Sequence, residues 1–142
     1  MANLQIAYLA RHRVPDRQAL QEALKSLGFR LSVDDTYAPF ESSGYLPCTL
    51  DGEDAGVDIK FSDSAGPLAA QPQLRQQIGN RDTAILLRWG GDPRERASAL
   101  ILGATLAHSF GALVQRQQEA ALRTPDQLLE EAHEAFTQLQ EE

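Results

Sequence analysis

Few side chains in this sequence could do chemistry at neutral pH, and they are scattered. The three histidines, His12, His108 and His133, fall on different expected elements. Glu130 and His133 have the i, i+3 spacing of a di-iron bundle, but that chemistry needs a second such pair and two more glutamates on other helices, which the chain lacks. His108 belongs to the last turn of a long helix, where a cation complements the helix dipole. The one cysteine, Cys48, would need positive surroundings to become a nucleophile, and it stands instead in an acid-rich stretch as a small apolar filler. Adjacent carboxylates such as Asp34 with Asp35, or Glu53 with Asp54, point apart on extended chain and lack the ligand ladder of a calcium loop. Arg88-Trp89-Gly90-Gly91-Asp92-Pro93 lies between an expected strand and helix, where free amides can hold phosphate. Asp92 would repel that phosphate, Pro93 deletes a donor, and no Lys-Ser/Thr follows. The stretch reads as a turn, a helix cap and a core tryptophan. No catalytic residue, metal or cofactor is expected.

Charge is distributed less evenly than chemistry. Of 20 acids, eight lie between Asp34 and Asp63 (Asp34, Asp35, Glu41, Asp51, Glu53, Asp54, Asp58 and Asp63) against Lys60 alone. Seven more, Glu119, Asp126, Glu130, Glu131, Glu134, Glu141 and Glu142, share the tail with Arg123. The rest of the chain carries eleven of the 13 cations and five acids. A molecule so lopsided steers a basic partner, although the field alone names no partner. Tyr37, Phe40 and Tyr45 are threaded through the first acidic block. Rings ringed by carboxylates suit an interface with an arginine- or lysine-rich surface; the same rings could tuck under the loop and close the core. The candidate partner-binding set is therefore Asp34, Asp35, Tyr37, Phe40, Glu41, Tyr45, Asp51, Glu53, Asp54 and Asp58.

The net charge of -7 opposes direct binding to nucleic acid, whose phosphates require a basic face. A lone cysteine excludes an internal disulfide, the start of the chain lacks the pattern of a signal peptide, and no apolar run is long enough to span a bilayer. A cytoplasmic protein is expected. At 142 residues the chain suits one domain with a sizeable core.

The elements that must position these residues follow from periodicity. Leu4 to Leu9 reads as an interior strand, apolar on one side and partly so on the other. Pro15 and Asp16 open a helix with Leu20, Ala23, Leu24 and Leu27 on its buried stripe, and Gly28 ends it. Phe29, Leu31 and Val33 alternate as a second strand. Asp34 to Gly56 reads mainly as loop with a short strand at Cys48 to Leu50. Val57, Ile59 and Phe61 alternate with Asp58 and Lys60 as a half-exposed strand. A short helix is expected from Leu68 to Ile78, interrupted or started at Pro72. Thr83 to Trp89 is a strongly apolar strand, after which Asp92-Pro93-Arg94-Glu95 opens a largely internal helix. Ala112 to Val114 resumes a strand, completing a strand-helix-strand unit. Thr124-Pro125-Asp126-Gln127 caps the last helix, which buries Leu128, Leu129, Ala132, Ala135, Phe136 and Leu139 and turns glutamates outward. Leu24, Ile85, Leu87, Leu100, Ile101, Ala104 and Phe136 should be core. The order β-α-β-β-α-β-α-β-α implies an α+β fold, a mixed sheet with helices packed on it, of ferredoxin-like flavour, in a single domain.

Gly44-Tyr45-Leu46-Pro47-Cys48, Gly56-Val57, Gly79-Asn80-Arg81-Asp82, Arg88-Trp89-Gly90-Gly91-Asp92 and Phe110-Gly111-Ala112 together resemble a family of small cytosolic immunity proteins, encoded beside bacterial polymorphic toxins of type VI or Rhs systems. The resemblance runs from Leu4 to Leu139 and rests on structural glycines and strand ends. It implies a binding protein that blocks a cognate toxin domain with a basic surface, and it carries over no catalytic residue. Two other readings stay open: a small enzyme or ligand-binding domain using the turn at Arg88 to Asp92, and a self-associating module using the apolar faces of the later helices.

Overall fold

The computed structural model describes residues 3–116, 119 and 121–140, so Glu141 and Glu142 of the acidic tail lie outside the described residues. β1 (Asn3–Leu9) passes through a 3-10 turn at Arg11–Arg13 into α1 (Arg17–Ser26). Five strands follow: β2 (Leu31–Val33), β3 (Ser43–Leu46), β4 (Cys48–Leu50), β5 (Glu53–Asp54) and β6 (Val57–Asp63). Two single helical turns, α2 (Ala65–Leu68) and α3 (Arg75–Ile78), are joined through a 3-10 turn at Pro72–Leu74. β7 (Thr83–Trp89), α4 (Pro93–Phe110), β8 (Leu113–Arg116) and α5 (Pro125–Gln140) complete the α+β fold.

The strands form two sheets, a larger one in the order β3-β6-β7-β1-β8 and a smaller one in the order β2-β4-β5. Every neighbouring pair is antiparallel, which corrects the expectation of a mixed sheet. β7 and β8 do run parallel to each other, but β1 lies between them and pairs with both. A helix about 10 Å wide covers two strand spacings of about 4.8 Å, so the α4 crossover accommodates an intervening strand without strain. β1 and β6 stand in the same relation across β7.

α4 is the hub. Every residue from Ala97 to Ala107 is buried, because the helix lies against β1, β7, α1 and α5 at once. Ala7, Leu9, Val57, Ile59, Ile85 and Leu87 supply the sheet side of this core. Leu24, Ile85, Leu87, Leu100, Ile101 and Ala104 are buried as expected. Phe136 is only half-buried, as are Leu129 and Leu139, because α5 is apolar on the stripe that meets α4 and wet at its edges. The opposite face of the large sheet carries Ile6, Tyr8 and Ala84, covered by Leu68, Leu74 and Ile78. The thin apolar stripe of residues 68–78 thus belongs to a lid of short turns rather than to one helix.

Helix starts follow the capping residues closely. Asp16 caps α1 by accepting from the Ala19 N–H at 2.8 Å, with Pro15 outside the helix rather than in its first turn. Asp92 accepts from the Arg94 N–H at 2.8 Å, and Pro93 occupies the first helical position of α4. Thr124 and Gln127 exchange side-chain and backbone hydrogen bonds at 3.2 and 3.0 Å, a reciprocal capping box. Among the described residues, no helix is long and apolar enough to cross a membrane.

Candidate functional site

The stretch from Asp34 to Gly56 is mainly loop with its expected strand at Cys48–Leu50, but it also holds β3 and β5, and these decide where the acids after Ser42 point. Leu50-Asp51-Gly52-Glu53 is a tight hairpin between β4 and β5: Leu50 pairs with Glu53, and Asp51 and Gly52 both have positive φ, at 53° and 86°. Asp-Gly between alternating residues is a strong sequence signal for this two-residue turn. The hairpin lifts Asp51, Glu53 and Asp54 into solvent while Cys48 and Leu50 face the core.

Asp34, Asp35 and Asp54 converge on an open groove of about 450 Å³ on the outer side of the small sheet. Ser32, Thr49, Pro47 and Arg17 share its wall. Asp54 reaches it because Thr49 is its cross-strand partner, and Thr49 in turn pairs with Ser32. Asp34 accepts from the Thr36 hydroxyl at 2.5 Å and the Thr36 N–H at 3.1 Å, and these bonds hold its carboxyl below the usual range. Arg17, the one cation in this wall, donates to the Val33 carbonyl at 2.9 Å. Three carboxylates around one guanidinium leave the groove negative.

Nearby, Asp51 pairs with Arg30 at 3.3 Å and Glu53 with Arg94 at 2.7 Å. Nothing in the local sequence announces these two arginines, one before β2 and one on α4, because both contacts depend on the tertiary fold. Asp58 lies on the solvent face of the large sheet, between Tyr45 on β3 and Arg88 on β7. Tyr45 is 60% exposed. Its ring lies directly over Gly56, where any Cβ would strike the ring and come within 2.7 Å of the Leu46 carbonyl oxygen. The ring is therefore held flat yet presented to solvent, a suitable state for an anchor.

The three aromatic candidates separate. Tyr37 is 6% exposed and donates its hydroxyl to the Pro15 carbonyl at 3.0 Å, so it closes the core and leaves the partner-binding set. Burial, with a smaller contribution from Asp16, pushes its hydroxyl pKa strongly upward. Phe40 is 36% exposed but sits at the far end of the sheet, against Phe61 at 5.6 Å and beneath the Arg11 guanidinium at 3.9 Å. Glu41, its exposed neighbour, goes with it. These two residues are distant along β6 from Asp51, Glu53 and Asp54, and the single surface expected from sequence is divided.

The remaining candidates take structural places. Cys48 is 4% exposed, and burial, aided by Asp34, pushes its thiol up to about 12, far from a nucleophile's range. His133 lies on the exposed face of α5 and stacks on Phe29 at 4.6 Å. Glu131 joins Arg116 and Arg123 at 2.8 and 3.0 Å and so ties α5 to β8, on the opposite edge of the large sheet from β3. Arg123 also pairs with Glu119, whose carboxyl is held below its usual range chiefly by that hydrogen bond. The turn at Gly90 and Gly91 serves the helix, with the Gly90 carbonyl accepting from the Asn3 amide at 3.2 Å and the Asp92 carboxylate used as a cap. Among the described residues, no three His, Cys, Asp or Glu are grouped to hold a metal ion. No protein-family model, curated protein or solved structure is similar enough to this chain to count as a match.

Proposed function

We propose that this protein is an immunity-type inhibitor, a binding protein that neutralises a cognate toxin domain by presenting a negatively charged surface to a basic one. The observation that carries the reading is the groove of Asp34, Asp35 and Asp54 beside the Asp51–Glu53 hairpin, with Tyr45 exposed on the adjoining sheet face. A lysine or arginine entering the groove would meet three carboxylates, one of them already fixed by Thr36 and kept ionised. Asp51 and Glu53 have intramolecular partners, yet both pairs are solvent-exposed on the acid's side, at 40% and 68%, and exchange of an exposed partner costs little. Tyr45 supplies apolar area that charge alone lacks.

The test is co-expression with the product of the adjacent open reading frame, read as rescue of growth and as co-purification. The variant Asp51→Lys/Glu53→Lys/Asp54→Lys should lose both, while retaining a cooperative thermal transition. Full rescue by a folded triple variant would remove this surface from the function.

A further inference from the structure

We infer that the arginine-rich end of the molecule holds a second binding site, for a compact oxyanion of the phosphate type, between the turn after β1 and the C-terminus of α4. Its groove, about 370 Å³, is lined by Ala10, His12, Arg13, Asn80, Arg81, Phe110 and Gly111. Arg13 donates to the carbonyls of Ser109 at 3.2 Å and Phe110 at 3.3 Å. Arg81 donates to the carbonyls of Gly111 at 3.0 Å and Ile78 at 3.1 Å. The two guanidiniums are thereby fixed side by side on consecutive carbonyls of one helix end. Each keeps N–H donors beyond the two it uses, since a guanidinium has about five.

Capping alone does not account for this arrangement. The C-terminus of a helix offsets about half an elementary charge, whereas two guanidiniums bring two, so a positive excess remains. Among the described residues, neither Arg13 nor Arg81 has a carboxylate within ion-pair distance, although the chain has more acids than cations. Of the residues lining this groove and the adjoining one, which is formed with Arg11, His12, Phe40 and Asn80, Asp82 alone is acidic, and it accepts from the Arg11 N–H at 2.8 Å. Planar forks held by backbone carbonyls lose little freedom when an oxyanion arrives, and His12 and Asn80 add donors. A compact anion fits because the groove is shallow and its positive charge is concentrated at two points.

The probe is inorganic phosphate, titrated into the full chain at constant ionic strength and followed by amide chemical shifts, with chloride as the control. Saturable shifts confined to residues around Ala10 to Arg13, Asn80, Arg81 and Gly111 are expected. Arg81→Gln, whose amide can still reach the Gly111 carbonyl, should weaken binding about tenfold or more, and Asn80→Ala by less. Glu53→Lys at the other end should leave phosphate affinity unchanged, which separates this site from the docking surface. Shifts that match chloride, that spread without saturating, or that survive Arg81→Gln in a folded variant would overturn the assignment.

Discussion

The two ends of the large sheet use the same backbone and hold their charged side chains in different ways. At one end, the start of β6, the β4–β5 hairpin and the start of α4 bring Asp51, Glu53 and Asp54 together, with Arg30 and Arg94 as partners. At the other, the end of β1, the start of β7 and the end of α4 gather Arg11, Arg13 and Arg81. The acids stand on a hairpin and point outward, so their charge is available to a partner. The arginines are bent back onto ring and carbonyl, Arg11 over Phe40 and the other two over the helix end. Docking by long-range attraction and capture of a small ion are thus suited to different ends, and the difference lies in how each side chain is anchored rather than in charge alone.

Truncating the hub should test whether the ends belong to one cooperative unit. Leu100→Ala or Ile101→Ala removes a fully buried side chain from α4 and is expected to cost about 2 to 5 kcal/mol in denaturant titrations, with probes at both ends reporting one midpoint. Gly56→Ala should act on the acidic end alone. Its new methyl group meets the Tyr45 ring and the Leu46 carbonyl, so a loss of about 1 to 3 kcal/mol is expected, with amide shifts concentrated on β3 and β6. The exposed ion pairs are the smallest effect. Arg94→Ala should cost no more than about 1 kcal/mol and Arg30→Ala still less, since Arg30 is 75% exposed; both losses should vanish at high salt.

Two titrations sharpen the contrast further. Cys48, under the acidic end, has its folded pKa raised above the ordinary value of 9.0, so the stability it contributes is intact below that value and is lost as pH rises toward about 12. Its thiol should resist alkylation in native protein and react fully in denaturant. Glu119 has its folded pKa lowered below 4.5, so its contribution is present above that pH and fades as pH falls through the folded value. Arg123→Gln should flatten the acid limb of a stability–pH curve.

What sequence revealed and what it hid divide along the range of the interactions. Period and caps located α1, α4 and α5, since Asp16, Asp92 and Thr124 act within three residues of themselves. The alternation of Val57 to Phe61 and the apolar run from Thr83 placed β6 and β7 for the same reason. β3 escaped because Gly44 and Ser43 mask its pattern, and β5 because two residues are too few to show one. Asp51-Gly52 carries a hairpin signal that went unused, because the Gly, Ser and Pro around Cys48 to Leu50 make the stretch read as loop. The acids of the groove were named individually, but their convergence depends on strand register, which pairs Thr49 with both Ser32 and Asp54. Whether an aromatic was anchor or core could not be read locally. Tyr37 is buried by a hydrogen bond to Pro15, 22 positions away, and Tyr45 is exposed by packing on Gly56.

The most direct test of docking through the acidic end is the association rate constant with the partner, measured at several salt concentrations for the native chain and for Asp51→Lys/Glu53→Lys/Asp54→Lys. The native rate should fall steeply with salt, and the variant should associate at least about tenfold more slowly at low salt with a flattened dependence. Equal rates and equal salt slopes for the two proteins would contradict the account.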